Sequence, residues 1–158
     1  MNLRRMSTVL LCVAMLLSLA ACGQPRTAAT ADQFVSTMLN KGYTVKDMTK
    51  DFASEEYIKT AITADKKDAT IEFYVLDKEE TAKGNVTYFA EELKMYAAGT
   101  AKEKVKESAN YSYYEQKSTG TYRLVASIGE TFIYIDVVNA DYSAEAEELA
   151  KALGYAAE

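Results

Sequence analysis

The chain has 158 residues with a formal net charge of −5, 2 cysteines and 12 tyrosines, and it contains neither histidine nor tryptophan. The absence of histidine excludes the commonest general base, the commonest metal ligand and every His-dependent catalytic triad. An acidic chain without a basic cluster is also a poor binder of nucleic acid, because that affinity depends largely on Lys and Arg against phosphates.

Residues 1–21 have the three parts of a secretory signal: a basic start, an apolar segment and small residues before the cleavage point. Arg4 and Arg5 supply the basic start, and the apolar segment extends over residues 9–20. This segment is too short for a permanent transmembrane helix, which needs about 20 apolar residues. The four residues that close the pattern, Leu19-Ala20-Ala21-Cys22, resemble the lipobox of bacterial lipoprotein signal peptides.

The resemblance to bacterial lipoproteins implies that Cys22 receives a diacylglycerol thioether and becomes the N-terminus after cleavage. Many such proteins gain a third acyl chain there, and two or three chains anchor a protein much more firmly than one. We therefore expect a chain that is lipid-anchored on the extracytoplasmic face of an inner or outer cell membrane, with no cofactor besides the covalent lipid. The alternative is an ordinary signal peptide followed by an unrelated cysteine.

Cleavage before Cys22 would leave 137 residues (158 less 21), enough for one domain with its own core. It would also remove Arg4 and Arg5 and change the formal net charge from −5 to −7. Because Cys12 leaves with the signal and Cys22 carries lipid, we expect a mature domain without disulfides, stabilised by packing alone.

The chain after the signal is expected to comprise the lipidated cysteine and a short tether over residues 22–29, then a single domain over residues 30–158. Thr30 and Gln33 have the spacing of a capping box, which predicts a helix that ends at Gly42. Apolar alternation and helical spacing then predict strands over 43–49, 57–64 and 70–77 and a helix over 77–98.

The second half of the chain shows a similar order of elements. Residues 100–109 are rich in Lys and Glu and fit either an extension of the preceding helix or a solvated loop. Ser143 is the expected N-cap of the last helix, which ends at Gly154. The predicted strands of this half lie over 111–117, 122–128 and 131–138.

Strands joined by short turns pair antiparallel, and the predicted order of elements is α-βββ-α-βββ-α. This order predicts an α+β fold, a two-layer sandwich in which an antiparallel sheet of about six strands has its helices on one face. Ile71-x-Phe73-x-Val75 corresponds to Ile133-x-Ile135-x-Val137, which suggests an internal duplication.

No catalytic residue and no metal ligand is predicted. Adjacent glutamates such as Glu91 and Glu92 do not face one cleft from a helix, so solvated surface explains them better than acid–base chemistry. The segment from Asp65 to Asp68 lacks the glycine and the following glutamate of a calcium loop. The serines and threonines have no histidine to activate them.

The tyrosines suggest a binding surface. Strand alternation that turns Ile133 towards the helices turns its neighbours to the other face, which nothing covers in a two-layer fold. We therefore predict a candidate binding surface formed by Tyr74, Leu76, Phe132 and Tyr134. The alternative is that these side chains only cover one another, or that residues 100–109 fold over them.

The sequence thus predicts a non-catalytic binding or interaction module, held at the membrane through its lipid, with a protein or small-molecule partner in the cell envelope. One alternative is an envelope enzyme, such as a hydrolase that acts through carboxylates. Another is a solute-binding component of a transporter. A buried carboxyl group with a shifted pKa in a cleft would favour the enzyme, and a sheet face lined with aromatic residues would favour the binding module.

Overall fold

The computed structural model describes residues 24–96 and 101–156. These residues form three α-helices, one short 3₁₀ helix and seven strands. The helices are α1 (Ala31–Asn40), α2 (Glu79–Met95) and α3 (Ala140–Ala152), and the 3₁₀ helix is Thr49–Phe52. The strands are β1 (Thr44–Asp47), β2 (Ile58–Lys66), β3 (Ala69–Leu76), β4 (Lys102–Ser108), β5 (Tyr111–Ser118), β6 (Thr121–Ile128) and β7 (Thr131–Val137).

The seven strands form one antiparallel sheet in the order β1-β2-β3-β7-β6-β5-β4. The predicted α+β class and antiparallel sheet are confirmed, with seven strands rather than about six. The two segments that the duplication hypothesis aligns lie in β3 and β7, which are neighbours at the centre of the sheet. Ile71 is opposite Ile135 there, and Phe73 is opposite Ile133.

The additional strand is β4, in the segment for which we expected a helix extension or a solvated loop; that expectation was wrong. β4 is an edge strand, and its Val105 pairs with Tyr114 of β5. Lys and Glu alternate along β4 because the strand is largely exposed, and charged side chains on an edge strand discourage pairing with other chains. The polarity that suggested a loop is therefore the polarity of an exposed edge.

One side of the sheet, which we call the first face, is covered by α1 and α3. Phe34 of α1 stacks on Phe73 of β3 with 5.0 Å between ring centroids, and Leu149 of α3 is buried in the same cluster. Alternation along the strands supplies the remaining buried side chains of this face. They include Ile62, Ile71, Tyr111, Tyr113, Tyr122, Leu124, Ala126, Ile133, Ile135 and Val137.

Helix α2 lies on the opposite side, the second face, so the prediction of a two-layer sandwich with helices on one face was wrong. The physical reason is that both alternating sets of strand side chains are large and apolar, and each set needs cover from water. The buried cluster between α2 and the sheet consists of Leu76, Ala82, Val86, Ala90, Leu93, Tyr114, Val125 and Phe132.

The start of α1 agrees with the predicted capping box, whereas the start of α3 differs from the prediction. Thr30 Oγ1 accepts a hydrogen bond from the Gln33 amide at 3.2 Å, and Gln33 Oε1 accepts one from the Thr30 amide at 2.8 Å. The cap of α3 is Asn139, whose Oδ1 accepts from the Asp141 amide at 2.8 Å, and Ser143 lies inside the helix. Asn and Ser are comparable N-caps, so cap preference alone does not distinguish Asn139 from Ser143. The helix is capped at the earlier of the two, two residues after the end of β7.

Residues 26–29 pack against the domain, although a tether was expected over 22–29. The Arg26 amide donates to Asn110 Oδ1 at 2.9 Å, and Asn110 Nδ2 donates to the Arg26 carbonyl at 2.8 Å. The Arg26 guanidinium lies 3.9 Å from the centroid of the Tyr111 ring. Residues 26–29 are therefore packed on the fold rather than part of a free tether, and the connection from Arg26 to the predicted lipidation site is shorter than expected.

Cys22 and the signal segment 1–21 lie outside the described residues, so lipidation stays a prediction. None of the helices within the described ranges combines the length and the apolar character that a membrane-spanning helix needs.

Candidate functional site

An aromatic groove of about 250 Å³ lies on the second face, between α2 and the segment that leads from the 3₁₀ helix into β2. Strands β3 and β7 form its floor, α2 forms one wall, and the 3₁₀ helix with the following loop forms the other. The residues that line it are Phe52, Tyr57, Ile58, Tyr74, Leu76, Asn85, Tyr88, Phe89 and Phe132.

The rings around the groove hold one another in place. The Tyr74 ring meets Phe52 edge-on at 6.0 Å and Phe132 at 5.9 Å between centroids. Phe89 stacks on Phe132 at 5.6 Å and meets Tyr134 edge-on at 5.4 Å. Such pairs contribute about 0.5–1.5 kcal/mol each beyond the area that they bury, so these contacts stabilise the arrangement of the buried rings without a ligand.

The groove is uncharged. The Tyr74 hydroxyl donates to Glu72 Oε2 at 2.7 Å, and burial together with this hydrogen bond raises the pKa of Tyr74 well above its ordinary value. Tyr74 is therefore neutral at physiological pH. Asn85 contributes an amide to the lining, and this amide makes no hydrogen bond to another described residue, so it is available to a ligand.

Two tyrosines stand at the mouth of the groove. Tyr57 on the loop is 39% exposed and Tyr88 on α2 is 68% exposed. The Tyr88 ring meets Phe89 edge-on at 5.1 Å. Exposed tyrosines combine a large contact area with a hydroxyl at low cost in side-chain entropy. The arrangement is suited to holding a flat apolar group between the two walls.

The four residues of the predicted binding surface share the second face, as strand alternation requires, but this face is not open. Leu76 and Phe132 are 0% and 1% exposed because α2 covers them, and Tyr74 and Tyr134 are partly buried. The assumption that no helix covers this face was wrong, while a role in binding stays a prediction. Tyr74, Leu76 and Phe132 line the groove. Tyr134 is not part of the lining, but its ring packs against Phe89, which is.

Sequence reasoning missed both walls of the groove. Phe52 comes from an irregular segment without a periodic pattern, and Tyr57, predicted as the first residue of a strand, lies just before β2 instead. Nothing local places either residue beside a helix. Phe89 has the spacing of a helix core, which does not distinguish a core position from a wall. The detectable signal is the adjacent pair Tyr88-Phe89: neighbours on a helix point about 100° apart, so burial of Phe89 turns Tyr88 towards the surface.

A second, charged cleft of about 560 Å³ lies on the first face, between the β4–β5 edge and α3. Glu115 in this cleft is only 4% exposed, with Lys104 Nζ at 3.4 Å and the Tyr122 hydroxyl at 3.3 Å. Glu147 pairs with Lys117 and with Lys151, and hydrogen bonds from these lysines lower its pKa. Each carboxylate thus has at least one lysine partner, as carboxylates in structural ion pairs do.

In residues 24–96 and 101–156 there is no group of three or more acidic or cysteine side chains that could hold a metal ion. Comparison of the chain with known protein families, with curated proteins and with solved structures finds no match. A functional assignment therefore depends on the chemistry of the groove.

Proposed function

We propose that this chain is a lipid-anchored extracytoplasmic binding module whose aromatic groove holds one flat apolar group of a protein or small-molecule partner. The observation that carries the proposal is the preformed, uncharged groove with exposed Tyr57 and Tyr88 at its mouth. The lipobox pattern at Leu19-Ala20-Ala21-Cys22 supplies the argument for the anchor.

The size of the groove favours a small inserted group. Sites that enclose a drug-sized ligand have volumes of about 300–1,000 Å³. A groove of about 250 Å³ is better matched to one aromatic ring or one large apolar side chain of a partner. Binding sites of this kind gain affinity from rigid aromatic anchors, because little motion is lost when the partner enters.

The chemistry of the lining favours binding over catalysis. General acid–base catalysis needs a group with a pKa near the working pH. Tyr74 stays protonated far above that range, and an amide such as that of Asn85 does not titrate. Asn85 is instead placed to donate or accept a hydrogen bond that orients the inserted group.

The absence of tryptophan from the chain provides a direct assay, because the indole fluorescence of an added probe is free of protein background. Titration of the protein into N-acetyltryptophanamide should give a saturable blue shift and a rise in anisotropy. Tyr88→Ala should weaken this binding about fivefold or more, since an aromatic anchor contributes about 1 kcal/mol or more.

The matched control is Tyr96→Ala, because Tyr96 follows the end of the same helix, is 58% exposed and lies outside the groove lining. This variant should bind the probe as the parent does. Equal weakening by both substitutions, or no saturable signal with the parent, would contradict the proposed use of the groove.

A further inference from the structure

Three lysines on the exposed edge strand β4, at every second position, share one side of the sheet. Directly opposed residues on neighbouring strands point to the same face. Lys102 pairs with Lys117 of β5, Lys104 pairs with Glu115, and Lys106 pairs with Tyr113. The three lysines therefore lie on the first face, and they are exposed there. We refer to Lys102, Lys104 and Lys106 as the lysine row.

The positive charge of the lysine row is only partly neutralised by neighbouring side chains. Lys104 Nζ lies 3.4 Å from Glu115. Lys102 and Lys106 form no ion pair or hydrogen bond with any residue in the described ranges. The row is therefore a local positive strip on a chain whose formal net charge after cleavage before Cys22 would be −7. A strip of this kind attracts an anionic surface within about one Debye length, roughly 10 Å at 0.1 M salt.

The N-terminal segment joins the domain beside this row. Arg26 is fixed by its paired hydrogen bonds with Asn110 and by its guanidinium over the Tyr111 ring. Tyr111 precedes Tyr113 by two positions on the same face of β5, and Tyr113 is the partner of Lys106. Two residues along a strand span about 7 Å, and neighbouring strands lie about 4.8 Å apart. The backbone of Tyr111, on which the Arg26 guanidinium stacks, therefore lies within about 10 Å of the backbone of Lys106.

The distance from this point to the lipid is also short. Cys22 precedes Arg26 by four residues, and four extended residues span at most about 14 Å. If Cys22 carries acyl chains in the membrane, the end of β4 at Ser108, which pairs with Tyr111, is the end held nearer to the headgroups. Polybasic segments next to a membrane are attracted to the anionic lipids of its surface.

From this juxtaposition we propose that the lysine row lies against anionic phospholipid headgroups of the membrane that holds Cys22. The inference rests on the proposed lipid anchor and adds an orientation to it. The domain lies on its β4 side rather than standing on the end of the sheet near Arg26. The aromatic groove is on the second face, away from the row, and so remains open to a partner.

The test uses the full chain, lipidated in a bacterial host and reconstituted into vesicles of phosphatidylcholine with or without phosphatidylglycerol. Once Cys12 has left with the signal and Cys22 is acylated, an introduced cysteine is the sole free thiol. Thr119→Cys places a fluorophore beside the row, at the end of β5 far from Arg26. Ser54→Cys places it near the 3₁₀ helix, at the opposite edge of the sheet. Quenchers on the lipid headgroups then report which side faces the membrane.

With phosphatidylglycerol, we expect headgroup quenching at Thr119→Cys to exceed that at Ser54→Cys several-fold. High salt or omission of the anionic lipid should abolish the difference. Replacement of the lysine row by glutamine should also abolish it, with the melting temperature checked to confirm folding. A control replacement of three exposed lysines near the opposite edge, Lys41, Lys46 and Lys50, should leave the difference unchanged.

Three results would overturn the inference. Equal or stronger quenching at Ser54→Cys would show an upright or inverted domain. An unchanged pattern in the row variant, especially if that variant self-associates, would show that the lysines only protect the β4 edge from pairing. A chain without an acyl group on Cys22, which mass spectrometry and vesicle flotation detect, would overturn both the anchor and the orientation. A lipidated, floating chain without the difference would overturn the orientation alone.

Discussion

Phe89 of α2 and Phe132 of β7 stack with 5.6 Å between their ring centroids, and this contact joins the helix to the second face of the sheet. Phe132 is fully buried, while Phe89 is partly exposed and borders the groove. The same pair of rings thus belongs both to the core and to the candidate site. A substitution in the core and a substitution at the mouth of the groove should therefore differ in their effect on the free energy of unfolding.

Phe132→Ala should lower the free energy of unfolding by about 3–5 kcal/mol, because it removes a fully buried ring and leaves a cavity. Tyr88→Ala should cost less than about 1 kcal/mol, because the ring is mostly exposed and makes few core contacts. Urea unfolding followed by circular dichroism measures both values. Similar losses in the two variants would mean that Tyr88 is a core residue and that the groove is closed.

Burial, with smaller contributions from the carboxylates of Asp136, Glu92 and Glu72, raises the pKa of Tyr134 to about 12. The hydroxyl of an unfolded chain ionises near pH 10. Stability linked to this group is therefore complete below about pH 10 and is lost as the pH rises towards about 12, because the unfolded state ionises first. Tyr134→Phe should make the alkaline loss of stability shallower. Unfolding free energies of the parent and the variant across this range provide the check, and parallel curves would count against the assignment.

Arg26→Ala should lower the free energy of unfolding by about 1–3 kcal/mol. The substitution removes guanidinium hydrogen bonds to the carbonyl of Gly154 at 2.8 Å and to that of Ala156 at 3.2 Å, together with the stacking on Tyr111. Lys41→Ala is the control, because its ammonium group forms no hydrogen bond, ion pair or ring contact with a described residue. A melting temperature unchanged by Arg26→Ala would mean that the domain begins later and that the tether is longer.

Cys22→Ser should leave the precursor unprocessed or move the protein out of the membrane fraction, because the thiol that accepts the diacylglycerol is gone. Cys12→Ser is the matched control, since that residue leaves with the signal and should not affect lipidation. Radiolabelled fatty acid and cell fractionation measure both effects. Continued labelling and membrane association of Cys22→Ser would show that the predicted lipidation of Cys22 is wrong.

The features that the sequence predicts well depend on neighbouring residues. The capping box of Thr30 and Gln33 is set by a spacing of three positions, and the structure contains both of its hydrogen bonds. Strand β3 also follows from local alternation, since Ile71 and Phe73 turn to one face and Tyr74 turns to the other. Patterns of this kind are complete within one element and need no information about distant parts of the chain.

The features that were not predicted depend on contacts between distant parts of the chain. β4 has no apolar face of its own and becomes a strand because it pairs with β5. Helical spacing shows that α2 has an apolar side, but the face of the sheet that receives this side is decided by tertiary packing. The groove requires Phe52 to meet Tyr74 across an irregular loop, and no local pattern encodes that contact.

The most direct test of the proposed function is amide NMR of the mature chain with Cys22→Ser, titrated with N-acetyltryptophanamide. We expect saturable chemical-shift changes confined to the groove, at Tyr74, at Tyr88 and at the side-chain amide of Asn85. Lys104 on the first face should show no change. Shifts that spread over the first face, or no shifts at millimolar probe, would contradict the claim that this groove is the binding site.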